Sequence, residues 1–363
     1  MESAAPLSVQ SLPEARWSCQ GCGVCCERFT LGPLTPDTLA RLEAADLPSL
    51  WPPAAAAAWY EERPGPDGRP AFFLARRAGT CIFLDAQHQC AVHRLLGEGA
   101  KPEFCRVFPL LLVPEPAAVR ATVRPVCPRW YASRLDGEPL GPQAEALLPC
   151  LPQAPPAAQG LVEILPGAGV ERASWDAVEP ALLRVAGAPE GSPEARVAAL
   201  RRALLRALGR SEAPPDPAAE QAARGRLLEV LRAPLRALDP GPADPDPRAA
   251  LLRRCRAWLA PLDPDTPPTA CSPDAEDYLG LVLRNALFGR GPLAPGGLPV
   301  TMGSFLLDTW IARALPSATP LSAALVADRL AAWQIVAAHA AVQAALARAR
   351  PSLADLFLYA DGP

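Results

Sequence analysis

Lysine is almost missing from this chain: Lys101 is the only one in 363 residues, and arginine carries nearly all the positive charge. Alanine and proline abound instead, which reads as the coding bias of a GC-rich genome. The net charge is −3, from 35 basic and 38 acidic residues, so no global field gathers nucleic acid or an anionic membrane. Long apolar runs are missing too. The most apolar stretch, residues 321–347, is broken by Asp328, Arg329 and His339, which a lipid-spanning helix would expose at large cost. The opening residues MESAAPLSVQSLPEARW lack a basic segment followed by an apolar one, so no secretory signal is expected. The expectation is a soluble cytoplasmic protein with neither a nucleic-acid nor a membrane partner. In that reducing compartment, disulfides are the weaker explanation for its thiols. Paired carboxylates, a Gly-x-Ser-x-Gly elbow and a phosphate loop are also missing, so no catalytic residue can be assigned.

What is present is cysteine, concentrated at one end. Eight of the eleven cysteines lie between Cys19 and Cys127: Cys19-x2-Cys22-x2-Cys25-Cys26, then Cys81, Cys90, Cys105 and Cys127. Adjacent and two-apart cysteines are a poor way to fill a core. In a loop with Gly21 and Gly23, they let several sulfurs converge on one point. The first three have the spacing of a bacterial ferredoxin run, and Cys127 is followed by Pro128 as its closing ligand is. Cys25 and Cys26 are adjacent and so cannot easily reach one metal from the same direction, which argues for more than four ligands. Eight thiolates suffice for two tetrahedral sites, for one such site plus a polynuclear centre, or for one site plus a redox pair.

Cys81 and Cys90 read as the two sides of a hairpin, flanked by Ile82, Phe83 and Leu84 and turned by residues 87–89. His93 either ligates or packs at the start of a helix over residues 93–96, and His88 reads as a surface turn residue. Cys105 is expected on a helical turn facing inward between Phe104 and Phe108, with Arg106 offsetting negative charge beside the sulfurs. Cys150, Cys255 and Cys271 have no partners at ligand spacing and read as buried or incidental thiols.

The organisation is expected to be mainly α. An irregular α+β metal-binding domain spans residues 1–136, a Pro/Gly-rich linker 137–169, and a helical array 170–363. Thr35-Pro36 reads as a helix start running to about Asp46, and strands are expected at 71–75, 82–84, 110–113 and 119–123. Helices are expected at 176–187, 193–209, 216–237, 248–260, 273–288, 303–314, 320–348 and 351–359. In the second of these, Leu200, Leu204 and Leu208 share one face while Arg201, Arg202 and Arg206 read as its solvated side.

The cysteine pattern resembles the YkgJ-type CxxCxxCC family of zinc- or iron-chelating proteins. That family continues with Cys-x-Phe-Leu, Cys-x-Ile-Tyr and Arg-Pro-x-x-Cys-Arg-x-Phe-Pro. Here those steps read Cys81-Ile82-Phe83-Leu84, Cys90-Ala91-Val92-His93 and Lys101-Pro102-Glu103-Phe104-Cys105-Arg106-Val107-Phe108-Pro109. The match covers about the first third of the chain, with His93 in place of Tyr and Lys101 in place of Arg. The two-part layout also resembles the flagellin lysine-N-methylase family, and residues 277–288 faintly resemble an aromatic and Asn-bearing helix of such proteins. That relation implies methyl transfer to a protein substrate from S-adenosylmethionine, with an iron-sulfur centre. Against it, Cys19, Cys22 and Cys25 fall one residue short of the radical-adenosylmethionine spacing. Residues 161–169, which look like a cofactor-holding glycine turn, have no alternating strands after them and read as a linker turn.

The first expectation is therefore a metal-ion-binding protein holding zinc or an iron-sulfur centre through the eight cysteines named. A lysine methylase is the alternative. A redox or metal sensor working through Cys25 and Cys26 is a third reading.

Overall fold

The computed structural model describes residues 7–55, 58–65, 68–115, 118–151, 161–165, 168–188, 191–209, 216–238, 247–289, 297–314, 317 and 319–359. Small sheets lie in the N-terminal region and helices make up the C-terminal half. The main sheet has three strands: Ala118–Val123 lies in the middle, antiparallel to Leu110–Pro114 and parallel to Ser8–Ser11. All six residues of the middle strand are buried, because the helix Pro273–Gly289 covers it and Asn285 accepts the Val123 N–H at 3.3 Å.

Two apolar cores result. The larger joins this sheet to the helices, from Leu12 and Trp130 to Trp333 and Phe357. The smaller is gathered from Leu31, Leu34, Leu42, Leu47, Trp59, Leu74, Ile82, Phe83 and Val92. Within residues 137–169, the helix Leu140–Leu147 buries Leu140, Ala144 and Leu147, which belong to the larger core.

Thr35 caps the helix Pro36–Ala44, accepting the Thr38 N–H at 3.2 Å with Pro36 in the first turn. The segment expected as one helix over 320–348 is two, Ala323–Ala337 and Ala340–Arg348, bent by 88°. His339 starts the second by accepting the Ala341 N–H on its Nδ1. Among the described residues no single helix is long and apolar enough to cross a membrane. The helix expected from 303 begins at Gly297, since Pro299 in its first turn gives up only an amide that lacks a helical acceptor. Ile82–Leu84, expected as a strand, is a turn after the strand Thr80–Cys81, with Leu84 bridging back to Cys90. Arg201 is buried, not solvated. Its long stem packs in the core while its guanidinium satisfies the Leu358 carbonyl near the end of the helix Arg350–Tyr359.

Candidate metal centre

The site is built from the loop before the smaller core. Gly23, at φ 71°, turns the chain into the short helix Val24–Arg28, and an added Cβ there would meet the His88 ring at 2.7 Å. That helix carries Cys25 and Cys26. Its C-terminal end is clamped by Arg76, whose guanidinium donates to the carbonyls of Phe29, Glu27 and Gly79. The helix also packs against Pro247–Leu259 of the helical half.

The other sulfurs are positioned independently. Cys81 and Cys90 flank a turn closed by the Leu84–Cys90 bridge and the Ala91 N–H to Phe83 carbonyl bond of 2.7 Å. The carboxylate of Asp85 accepts the amides of Gln87 and Gln89, and Trp51 donates its indole N–H to the Ile82 carbonyl at 2.8 Å. Cys105 rides on the short helix Glu103–Val107, which Glu103 ties to Thr38 of Pro36–Ala44 at 2.6 Å. Burial alone would raise the Glu103 carboxyl. The Thr38 hydroxyl, its own backbone N–H, Arg41 and Thr35 together outweigh that and hold it below its ordinary value. Cys127 lies in the turn that opens the helix Trp130–Asp136, where its carbonyl accepts the Trp130 N–H at 3.2 Å.

The eight cysteines come from stretches far apart in sequence and act on one another through a chain of pairs. Cys81, Cys26, Cys90 and Cys105 line the smaller core, and Cys127 belongs to the larger. Cys25 lies between them: its sulfur is 3.9 Å from that of Cys26 and acts electrostatically on Cys22, Cys105 and Cys127 alike. Cys26 in turn contacts Cys81, Cys105 is coupled to Cys90, and Cys22 to the exposed Cys19. All eleven cysteines are free thiols.

The sulfurs of adjacent Cys25 and Cys26 stand 3.9 Å apart. Four sulfurs held about 2.3 Å from a zinc ion stand about 3.8 Å apart, so this separation suits one edge of a thiolate site. Among the described residues, no three Cys, His, Asp or Glu side chains stand at ligand separation from a common point. The sulfurs are neighbours rather than a coordination polyhedron.

The backbone around them is aimed at sulfur. Three of the cysteines receive the amide of the residue two positions on: Cys22 from Val24, Cys81 from Phe83 at 3.4 Å, and Cys127 from Arg129. Such amides favour a thiolate over a thiol. Against them, burial raises the Cys22 thiol, and it raises the Cys105 thiol with Cys90 adding to it. Cys127 is pushed up to about 11 by burial. Cys25 is raised first by the proton it shares with Cys26 and then by burial. Cys26 is lowered by that contact but raised more by Cys81 and burial together. Cations oppose these shifts: Lys101 acts on Cys25 and Cys105, and Arg129 on Cys22. Arg106, expected in that role, is half-buried on the Cys105 helix, and its Nε has no acceptor among the described residues.

A donor set made of thiols, with backbone amides turned toward sulfur and two cations beside it, fits zinc or an iron-sulfur centre. His93 is exposed on the helix Ala91–Leu96, and His88 is an exposed turn residue at φ 59°. Cys255 is fully buried and pushed by burial to about 12, while Cys150 and Cys271 are half-buried at the margin of the larger core. The glycine turn at 161–169 carries the antiparallel strands Val162–Leu165 and Ala168–Val170, and Pro273–Gly289 is a core helix with Tyr278 and Phe288 buried. Sequence reasoning missed Arg76, Trp51 and the placement of Lys101. Only the solitary status of Lys101 singled it out.

No curated protein and no solved structure matches this chain. A family model does: residues 18–128 match CxxCxxCC, described as a putative zinc- or iron-chelating domain, over the stretch that supplies all eight sulfurs. The N-terminal third of this chain is thus similar to the CxxCxxCC chelating domain, the family that its cysteine pattern resembles.

Proposed function

We propose that this protein binds zinc or an iron-sulfur centre through Cys19, Cys22, Cys25, Cys26, Cys81, Cys90, Cys105 and Cys127. The observation that supports the reading is a set of backbone amides aimed at sulfur: those of Val24, Phe83 and Arg129 are turned toward Cys22, Cys81 and Cys127. Backbone donors arranged in this way stabilise negative sulfur, the form that ligates metal. Arg76, Trp51 and Glu103 tie the three loops to their neighbours, and the metal would draw the sulfurs into a coordination shell.

When bound, zinc would supply structural crosslinking and an iron-sulfur centre electron transfer. Elemental analysis and a visible spectrum of anaerobically purified protein decide between them. Broad absorption around 400 nm is expected for iron and sulfide and none for zinc. Protein that contains no metal, takes none up, and melts identically with and without strong chelator sinks the proposal.

A further inference from the structure

Three aromatic donors near Cys127 are buried and have no acceptor of ordinary geometry among the described residues: the indole N–H groups of Trp17 and Trp130 and the hydroxyl of Tyr278. Trp130 and Tyr278 are fully buried. Their rings pack edge-on with centroids 5.8 Å apart. Trp17 arrives on the strand Arg16–Trp17 and Tyr278 on the helix Pro273–Gly289, and both neighbour the Cys127 sulfur. The Arg134 guanidinium lies 5.9 Å from the Tyr278 ring centroid and is engaged by Asp274, and Cys127 acts on the Tyr278 hydroxyl as well.

A buried donor with no acceptor costs about 1–3 kcal/mol, and nearly all buried polar groups avoid that cost. Two such donors, the Trp17 indole turned toward the sulfur and the Tyr278 hydroxyl, lie beside Cys127 and ask for an acceptor stronger than a thiol. A thiolate is one.

We propose that Trp17 and Tyr278 are positioning residues for the metal centre, donating hydrogen bonds to the Cys127 sulfur once it is a ligated thiolate. The inference rests on the metal-binding reading above. It makes the helical half, outside the stretch that matches the chelating family, a contributor to the properties of the site. The residue from that half is Tyr278, whose helix also covers the central sheet strand.

The test loads the full chain with cobalt(II), which reports tetrahedral thiolate ligation by its sulfur-to-metal charge-transfer band. Y278F is expected to shift that band to longer wavelength and to speed cobalt transfer to a chelator by about tenfold, the scale of losses from outer-shell partners. The same substitution in metal-free protein should leave the melting temperature unchanged or raise it, because it deletes an unsatisfied hydroxyl. A merely structural tyrosine would give the opposite pattern, a lower melting temperature and an unchanged band, and would overturn the proposal. W17F, read by the same band on folded protein, should shift it in the same direction; no shift in either variant also overturns it. If wild-type protein takes up no cobalt, the metal reading fails together with this one. If wild-type and Y278F protein load and release cobalt identically, only this inference fails.

Discussion

The two cores of this molecule are held together by different means. The larger is an ordinary apolar core, dense with leucine, alanine and tryptophan and braced by buried ion pairs such as Arg313 with Glu194 at 2.8 Å. The smaller has few large apolar side chains, and part of its wall is cysteine: Cys81 is 5 % exposed and Cys26, Cys90 and Cys105 pack against it. A core this small buries too little surface to offset the chain entropy it orders, which is why such units usually carry a metal or crosslinks. The comparison predicts that metal affinity and local folding are linked in the smaller core, whereas the larger folds on apolar burial and buried ion pairs without a metal.

The largest expected effect breaks the comparison directly. Metal ligation supplies on the order of 10 kcal/mol to small domains of this kind. C81S or C105S should therefore abolish stoichiometric metal and with it the slow hydrogen exchange of residues 81–92. C271S, in the larger core's margin, should change neither. If stripped protein keeps full protection over 81–92, the smaller core stands by itself and the contrast is wrong.

Arg120 sharpens the other side. It is 4 % exposed on the middle strand, 2.6 Å from both Glu115 and Glu179, and it stacks 4.8 Å from the Phe288 ring centroid. R120M strands the buried Glu179 carboxylate, while Glu115 keeps Arg172 at 2.6 Å, and should cost about 3–5 kcal/mol, read in a denaturant titration. Metal content at low temperature should be unaffected, since none of these contacts reaches the sulfurs.

How much of this was legible in the sequence follows the same division. Helices of the larger core announce themselves through spacing and proline punctuation, so their existence could be read and their ends only roughly. His339 restarts a helix where apolar periodicity runs on, and Arg201 looks solvated because spacing says nothing of a carbonyl waiting on a helix 157 residues away. In the smaller core regular structure is sparse. The cysteines were visible by type and spacing, whereas Arg76, which holds the Cys25–Cys26 helix from 47 residues away, carries no local signature. The side to which Cys25 and Cys26 turn depends on side-chain torsions that one-dimensional spacing does not encode.

A pH-dependent effect belongs to the larger core. Asp308 accepts the Trp333 indole N–H at 2.6 Å and a Gln334 amide, yet burial outweighs both and pushes its carboxyl up to about 7. The folded value lies above the unfolded value of about 3.9, so between those limits the folded state binds the extra proton. Stability from this group is complete below about pH 4 and is lost as pH rises toward 7, by about 1.4 kcal/mol for each unit separating the two values. D308N should flatten that slope in melts taken across the interval. A slope equal to the wild type's would show that Asp308 is not its source.

The smallest effect compares two like-for-like changes. Thr35 caps Pro36–Ala44 in the smaller core, and Ser192 caps Pro193–Ala207 in the larger by accepting the Ala195 N–H at 3.2 Å. Alanine at either position should cost about 1 kcal/mol. In the larger core that loss spreads over a cooperative unit and lowers the melting temperature by a few degrees without touching the metal. In the smaller core the capped helix leans on Glu103, and Glu103 fixes the helix that carries Cys105. T35A should therefore speed metal transfer to chelator roughly fivefold, the rate equivalent of about 1 kcal/mol, while S192A leaves that rate alone. Equal release rates for the two variants would mean that the metal does not sense the smaller core's folding free energy.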